Sequence, residues 1–193
     1  MNASRLAGGR APAPGLLAMV QAFINTRFDL GPDWGADVLA DPPALADWLA
    51  ARGLLRTPTA VSGAEFARVL SVRDGLFALV LANNGEPLDP GALAGLNAAG
   101  RHAPVLVQLS ASGPALPPAR AQVDGAVAML LATTAAAMLD GSWARLKGCP
   151  GHHCGWAFYD RSRNHGGRWC AMTVCGARTK ARRYYRRRAG SAS

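Results

Sequence analysis

The four cysteines of this 193-residue chain form two pairs in its C-terminal quarter. Four residues separate the cysteines of each pair and fifteen separate the pairs, which gives the pattern C-x4-C-x15-C-x4-C. Two such pairs, joined by a segment long enough to fold back, can place four thiolates around one Zn²⁺ ion. A site closed by four cysteines has no open position for water or substrate, so the pattern predicts one structural zinc ion. Its predicted ligands are Cys149, Cys154, Cys170 and Cys175.

Two other interpretations of the cysteine pairs stay open from sequence. The thiols could form two disulfides in an exported protein, or His152 or His153 in the first loop could replace one cysteine as a ligand. Arg5 and Arg10 precede an apolar stretch, as in a secretory signal, but Gln21 interrupts the stretch and no small-residue cleavage site follows. We therefore expect a cytoplasmic protein with reduced thiols, in which metal binding is the favoured interpretation.

Positive charge is concentrated in the same quarter of the chain. The chain has 21 Lys and Arg residues against 12 Asp and Glu, a formal net charge of +9. Residues 143–193 contain twelve basic residues and one acidic residue, whereas residues 1–142 contain nine Arg and eleven acidic residues. This distribution predicts a polyanionic partner for the C-terminal segment.

The segment between the cysteine pairs predicts a hairpin, and the segment after them predicts a helix. A strand over residues 156–159, a polar turn over 160–167 and a return at 168–169 would complete a treble-clef arrangement with the helix over 174–188. Ala177, Ala181 and Tyr184 share one side of this helix and are predicted to pack on the finger. The remaining arc is basic, and guanidinium groups bind phosphates and read guanine edges, although such a run can also be only a solvated face. The predicted nucleic-acid contacts are Arg168, Arg178, Lys180, Arg182, Arg183, Arg186 and Arg187.

The first three quarters of the chain predict a mainly helical domain. Helix-start signals occur at Asp41, Ser62 and Asp89, and apolar periodicity predicts further helices from residue 16 to about 29–31 and over 124–139. Residues 104–109 predict a strand with a partner near 120–123. The predicted fold class is mainly α with a small β-hairpin (α+β), followed by a C-terminal treble-clef-like zinc finger. The predicted boundaries are a disordered N-terminus over 1–14, a helical domain over 15–142, the finger over 143–188 and a disordered tail over 189–193.

Membrane insertion and catalysis are both disfavoured by the sequence. The longest nearly apolar run, residues 126–139, is too short to span a bilayer and predicts a buried helix. Residues 1–142 contain one histidine, two glutamates and no cysteine, and they lack phosphate-loop, dinucleotide-binding and nucleophile-elbow patterns. We therefore expect no enzyme activity.

Several segments together resemble known bacterial families. The finger, with its Gly148-Cys149, Gly155-Trp156-Ala157-Phe158-Tyr159-Asp160 and Cys175-Gly176-Ala177-Arg178 stretches, is similar to the CGNR zinc finger, except that Ala177 replaces the Asn of the tetrapeptide. In that family the finger follows an ABATE domain, whose members are regarded as stress-induced transcription regulators. The stretch Phe23-Ile24-Asn25-Thr26 resembles a signature of that domain, Trp48-Leu49 follows at the expected distance, and Arg73 lies in the central helix where the family has an arginine.

The resemblance implies a stress- or ligand-responsive DNA-binding transcription regulator, located in the cytoplasm on the nucleoid. An RNA-binding or ribosome-associated zinc module is the alternative, because an arginine-rich helix on a zinc scaffold binds any phosphate backbone. Asn25, Thr26 and Arg73 are candidates for a small-molecule pocket, although Asn25 could instead close a helix end and Arg73 could pair with an acid. The expected partners are double-stranded DNA or RNA, an unidentified effector and a second copy in a homodimer, with no membrane.

Overall fold

The computed structural model describes residues 11–27, 35–55, 59–151 and 154–190, and for Arg183 and residues 186–190 it describes the backbone only. The predictions for residues 1–10 and 191–193, for His152 and His153, and for a helix end near residues 29–31 lie outside the described residues. The elements are α1 Leu17–Ile24, α2 Pro42–Ala50, α3 Gly63–Ala82, α4 Pro90–Gly100, β1 Gln108–Ser110, β2 Gly113–Ala115, α5 Gln122–Leu139, β3 Leu146–Gly148, β4 Ala157–Tyr159 and α6 Ala177–Gly190. Short 3₁₀ turns at Asn25–Arg27 and Ser142–Arg145 and a π turn at Met172–Gly176 connect some of them. The predicted fold class, mainly α with small antiparallel strand pairs and a C-terminal cysteine cluster, is confirmed.

The helix starts follow from side-chain caps. The Asp41 carboxylate accepts a hydrogen bond from the Ala44 N–H at 2.8 Å, and the Asp89 carboxylate accepts one from Gly91 at 2.8 Å. At α3, Ser62 and Glu65 bond reciprocally, with the Ser62 N–H at 2.9 Å from Glu65 Oε2 and the Glu65 N–H at 3.2 Å from Ser62 Oγ. Each cap satisfies an N–H that the first turn of a helix leaves unpaired, so the predicted starts at these positions are confirmed.

The helical domain is built around α3. Val69, Val72, Leu76 and Val80 of α3 are buried and share one apolar core with residues of α1, α2 and α5. Helix α4 approaches α3 at Gly75, where an added Cβ would lie 2.6 Å from the Leu96 Cβ, so this crossing requires a residue without a side chain.

Helix α5 is the one described helix that is long and apolar enough to cross a bilayer. Its buried face, which includes Val123, Val127 and Leu130, packs in the apolar core of the helical domain. In its first turn, Asp124 pairs with Arg68 at 2.5 Å. These contacts are those of a core helix, as the sequence predicts.

The predicted β-hairpin exists, but both of its strands differ from the prediction, and the first covers Gln108–Ser110 instead of residues 104–109. Strand β1 pairs antiparallel with β2, in the register Gln108↔Ala115, and an isolated bridge joins Val105 to Pro118. Residues 120–123 are not the partner strand, because α5 already begins at Gln122. The hairpin is also exposed rather than buried, since Leu109 has 83% of its surface accessible.

The second strand pair connects the helical domain to the cysteine cluster. Strands β3 and β4 are antiparallel, with Lys147 opposite Phe158. Successive side chains of a strand point to opposite faces. Ala157 and Tyr159 of β4 therefore belong to the core of the helical domain, whereas Trp156 and Phe158 pack with the four cysteines. Strand β4 thus contributes side chains from its two faces to two different apolar clusters.

Candidate metal centre and basic helix

The four cysteines form one buried cluster. Their sulfur atoms all lie within 4.8 Å of one another, and none of the four residues is more than 7% exposed. The Cys170 sulfur lies 3.6 Å from the sulfur of Cys154 and 3.6 Å from that of Cys175. Zn–S bonds of about 2.3 Å would place tetrahedral sulfurs about 3.8 Å apart, so this spacing fits one zinc ion. None of the four cysteines is in a disulfide, in contrast to the alternative interpretation with two disulfides.

The electrostatics of the cluster also call for a cation. Hydrogen bonds from Cys154 and Cys170 lower the pKa of the Cys149 thiol to about 2. The hydrogen bond to Cys149 raises the pKa of Cys154 to about 12 and also raises that of Cys170, while burial raises the pKa of Cys175. The four thiols therefore differ in their tendency to ionise, and a divalent cation bound among them would stabilise the thiolate form of all four.

Backbone hydrogen bonds shape the two cysteine loops. In the first, the Cys149 N–H bonds the Trp156 carbonyl at 3.0 Å, and Gly155, with a φ of +61°, returns its N–H to the Cys149 carbonyl at 3.2 Å. The positive φ explains a glycine at this position. In the second, the N–H groups of Cys175 and Gly176 both bond the Ala171 carbonyl, which produces the π turn. The metal ligands are therefore held by short-range turns on either side of β4.

The turn after β4 is organised by a buried ion pair that replaces the predicted return strand. Residues 168–169 form no strand, and β4 pairs instead with β3, which precedes the first cysteine. The Lys147 ammonium lies 3.0 Å from Asp160 Oδ2 and also donates to the carbonyls of His165 and Gly167. Asp160 in turn accepts hydrogen bonds from the N–H groups of Ser162 at 3.0 Å and Gly167 at 2.8 Å.

Asp160 is completely buried and stays ionised. Burial alone would raise the pKa of its carboxyl group, but hydrogen bonds from Ser162, Lys147 and Gly167 outweigh burial and hold the pKa well below its usual range. Lys147 is itself 6% exposed, so each charge depends on the other for compensation. These two residues lock the turn between the cysteine pairs.

Helix α6 projects from the cysteine cluster with most of its surface in solvent. Its 14 residues begin directly after the π turn, and apart from that turn α6 makes no extensive contact with the described elements. Ala177 and Ala181 are exposed, and Tyr184 is 52% exposed. The prediction that these three side chains pack on the finger is therefore wrong. Spacing at 3.6 residues indicates which side chains share a face but not whether anything covers that face.

The basic residues of α6 that the structure describes are exposed and unpaired by acids. Among the described side chains, no carboxylate lies within ion-pair distance of Arg178, Lys180 or Arg182. Arg168 is also exposed, and its backbone carbonyl accepts a hydrogen bond from Asn84 at 2.9 Å. The side chains of Arg183, Arg186 and Arg187 lie outside the described residues. The assignment of all seven residues to nucleic-acid binding stays a prediction.

Comparison with known protein families identifies both parts of the chain. A family model described as "ABATE: Putative stress-induced transcription regulator" matches residues 17–142, and a model described as "CGNR zinc finger" matches residues 145–188. The chain belongs to the ABATE family. No curated protein matches it. The resemblance stated from sequence and the structural zinc site are thereby confirmed, the latter by the CGNR match together with the buried four-cysteine cluster.

Within the ABATE domain, the signature residue Asn25 binds the zinc-finger strand. Its side-chain amide donates to the Ala157 carbonyl at 2.9 Å and accepts from the Ala157 N–H at 2.8 Å, so it pairs with β4 as a neighbouring strand would. Gln21 adds a hydrogen bond to the same carbonyl at 3.1 Å. Asn25 is 5% exposed and therefore occupies a joint between the two parts of the chain.

Thr26 and Arg73 of the ABATE domain have partners within the protein. The Thr26 hydroxyl donates to the Phe23 carbonyl at 2.7 Å and lies 3.2 Å from Arg73 Nη1. The buried Arg73 guanidinium makes a bidentate pair with Asp37, with both N–O distances 2.6 Å. None of Asn25, Thr26 and Arg73 lines either of the two cavities that the structure describes around Leu54. Their role in a ligand pocket stays a prediction.

A second joint, which the sequence does not predict, is formed by two amides at the end of α3. The Asn83 side chain donates to the carbonyls of Trp143 and Leu146, both at 2.9 Å. The Asn84 side chain donates to the Gly148 carbonyl at 2.7 Å and to that of Arg168. The only signal in the sequence is two adjacent Asn residues after a helix, which equally predicts an ordinary helix end.

Proposed function

We propose that this ABATE protein is a DNA-binding transcription regulator of the cytoplasm, associated with the nucleoid and acting without catalysis. The observation that carries the proposal is the exposed, acid-free basic surface of α6, which begins next to the zinc site. The description of the ABATE family as a transcription regulator supports nucleic acid as the partner.

The dimensions of α6 suit the major groove of B-form DNA. A helix of 14 residues is about 21 Å long, and the major groove, about 12 Å wide, admits one α-helix. At 100° per residue, Arg178 and Arg182 share one side of α6, and Lys180 lies toward the opposite side. A helix inside a groove has a phosphate backbone on each side. Basic side chains on opposite sides of α6 can therefore neutralise phosphates of both strands.

The zinc site would give this helix a fixed orientation. Cys175 lies in the π turn that leads into α6, and the Thr179 hydroxyl donates to the Cys175 carbonyl at 2.9 Å. Arg178 and Arg182, on the first turns after the metal ligand, are the best-anchored candidates for phosphate contacts. Residues 186 and 187, farther from the anchor, are also candidates for contacts to the phosphate backbone.

The test is the salt dependence of binding to duplex DNA. If α6 neutralises about five phosphates, the log-log slope of affinity against salt should be about −4 to −5, because each neutralised phosphate contributes about −0.9. The double variant Arg178→Gln, Arg182→Gln should flatten this slope by about two units. The control is Arg101→Gln, an exposed arginine at the end of α4, which should leave the slope unchanged.

A competition experiment separates DNA from the RNA alternative. Specific genomic fragments, recovered by chromatin immunoprecipitation of the tagged protein, should outcompete an equal mass of cellular RNA at physiological salt. Preferential binding to RNA would instead support the ribosome-associated or RNA-binding module. An unchanged affinity and slope in the double variant would overturn both, since α6 would then be only a solvated surface.

A further inference from the structure

Two cavities on the ABATE domain lie next to each other beside α5. The larger has a volume of about 590 Å³ and the smaller about 150 Å³, and both are lined by Gly53, Leu54 and Met129. We call them together the α5 groove. The larger volume lies within the roughly 300–1,000 Å³ range of ligand pockets.

The walls of the α5 groove are mostly apolar along its whole length. Pro117, Pro118 and Met129 line the larger part. Leu16 and Met19 of the α1 region line the smaller part, where they face Leu130 of α5. Leu16 is 68% exposed and Met129 is 38% exposed, so the groove presents apolar surface that the described chain leaves in water. Covering such surface with an apolar molecule is favourable.

The charge of the groove has one sign. Arg120 lines the larger part and Arg52 the smaller part, and none of the described lining residues is Asp or Glu. The carboxylate nearest to Arg120 belongs to Asp124, at 3.3 Å, and Asp124 also accepts from Arg68 at 2.5 Å. Arg120 therefore shares the Asp124 carboxylate with Arg68, which is the closer of the two arginines to it.

The two arginines differ in how free they are to bind a ligand. The Arg52 guanidinium stacks on the Trp48 ring, 3.9 Å from its centroid, and donates to the Trp48 carbonyl, while burial lowers its pKa. The Arg120 side chain is 55% exposed, and its Nη1 also donates a hydrogen bond to the His102 carbonyl at 3.3 Å. Arg120 also lies beside the N-terminus of α5, where no side chain caps the first turn and the helix dipole adds positive potential.

We propose that the α5 groove binds an amphipathic anion, a molecule with an apolar chain or ring along the groove and one carboxylate at Arg120. Its body would contact Met129 and Leu54, and its carboxylate would pair with the exposed Arg120 guanidinium. That the groove binds such an anion is inferred from these contacts only. That the anion is an effector rests in addition on the proposed function, because α5 is connected through the Ser142–Arg145 turn to β3 of the finger.

The test is calorimetric titration of the zinc-loaded full chain, without DNA, with decanoate below its micellar concentration. Decylammonium has a similar chain with the opposite charge and should bind at least tenfold more weakly. Arg120→Gln should weaken decanoate binding about tenfold, because it removes one charge-assisted hydrogen bond. Arg101→Gln is the matched control and should bind decanoate as the parent chain does. Met129→Trp, at a partly exposed position that lines both cavities, should narrow the groove and weaken decanoate binding at least tenfold, with the fold kept in circular dichroism.

Each result has a defined meaning. Equal affinity for decanoate and decylammonium, full binding by Arg120→Gln, or full binding by a folded Met129→Trp would overturn the proposal. Failure of decanoate to bind would also overturn it, while DNA binding through α6 would be unaffected. If decanoate binds and changes DNA affinity in the parent chain but not in Met129→Trp, the groove is an effector site. If decanoate binds and α6 does not bind DNA, the result supports the groove as an anion-binding site and contradicts the proposed function.

Discussion

The two halves of the zinc finger use their positive charges in opposite ways. In the strand half, Lys147 is 6% exposed and its ammonium group is enclosed by Asp160 and two carbonyl groups. In the helix half, Arg178 and Arg182 are exposed, and among the described residues no acid pairs with them. Both halves are basic in sequence. A charge count alone therefore overstates the surface available to a polyanion.

The halves also differ in how they are attached. Strand β4 is held by Asn25 and shares its side chains between the helical core and the cysteine cluster. Helix α6 begins next to Cys175, and its one extensive contact with the described elements is with the π turn Met172–Gly176. The difference indicates that one half of the finger is part of the folding unit of the ABATE domain and the other is a projecting element positioned by it. The stability of the chain should therefore respond strongly to changes in the strand half and weakly to changes in α6.

Removal of zinc should have the largest effect, because structural zinc sites contribute about 10 kcal/mol or more to folding. Four unligated cysteines would loosen the cluster around Trp156 and Phe158, on the reverse side of a strand whose other face belongs to the helical core. We expect one zinc ion per chain by elemental analysis, and a lower Tm of the helical signal in circular dichroism after chelation. Restoring zinc should restore the Tm. A helical Tm that does not change on chelation would show that the ABATE domain folds independently of the finger.

The next largest effect is expected from breaking the buried ion pair. Lys147→Met should cost about 3–5 kcal/mol in the free energy of unfolding, because it leaves the buried Asp160 charge without its partner. Denaturant unfolding of the zinc-loaded protein measures this cost. The exposed Arg163, in the same turn, provides the control, since Arg163→Met should change the free energy by less than about 0.5 kcal/mol. Equal costs for both variants would contradict the buried pair.

The same ion pair predicts a pH dependence. Because the pKa of Asp160 is lower in the folded than in the unfolded chain, its contribution is complete above the unfolded pKa, near 3.9, and is lost as the pH falls through the folded value. The stability difference between the parent chain and Asp160→Asn should therefore be constant from pH 5 to 8 and shrink below about pH 4. Parallel unfolding curves at each pH measure this difference. A difference that stays constant down to pH 2 would mean that the pKa of Asp160 is the same in the folded and the unfolded chain, which would contradict the ion pair.

Replacement of Asn25 tests the joint between β4 and the ABATE domain. Asn25→Ala leaves the Ala157 N–H buried without its acceptor, at a cost of about 1–3 kcal/mol, and it should accelerate hydrogen exchange at that amide. Gln108→Ala, in the exposed strand β1, is the control amide and should change stability by less than about 0.5 kcal/mol. If Asn25→Ala left stability and exchange unchanged, Asn25 would be available for ligand binding, as the sequence suggested.

Local signals made part of this fold predictable. The caps at Asp41, Ser62 and Asp89 act within three residues along the chain, so the sequence contains both partners of each hydrogen bond. The metal ligands were equally predictable, because their residue type and spacing follow from the coordination of zinc.

Long-range pairings were not predictable from the same sequence. Strands β3 and β4 have three residues each, too few to carry a pattern that selects a partner, so the sequence pairs β4 with residues 168–169 rather than with β3. The joints made by Asn25 and Asn84 connect residues 132 and 64 positions apart, and an Asn after a helix has the same appearance whether it ends the helix or binds a distant strand. The exposure of Ala177 and Tyr184 likewise depends on whether another element covers their side of α6. Helical periodicity carries no information about that.

The smallest effect on stability is expected from neutralising α6. The triple variant Arg178→Gln, Lys180→Gln, Arg182→Gln keeps the helix-forming character of the segment and removes no ion pair among the described residues, so the free energy of unfolding should change by less than about 0.5 kcal/mol. The same variant should flatten the salt dependence of DNA binding by nearly three units, because each phosphate that α6 no longer neutralises removes about 0.9 from the slope. Lys147→Met should have the reverse effects. It should lower the free energy of unfolding, but the molecules that remain folded should bind DNA with an unchanged salt slope. Denaturant unfolding and DNA titrations on both variants together separate the two roles of positive charge in this finger. A triple variant destabilised by more than about 1 kcal/mol would show that α6 packs on the protein in solution, and its cations would then no longer be free for a nucleic-acid groove.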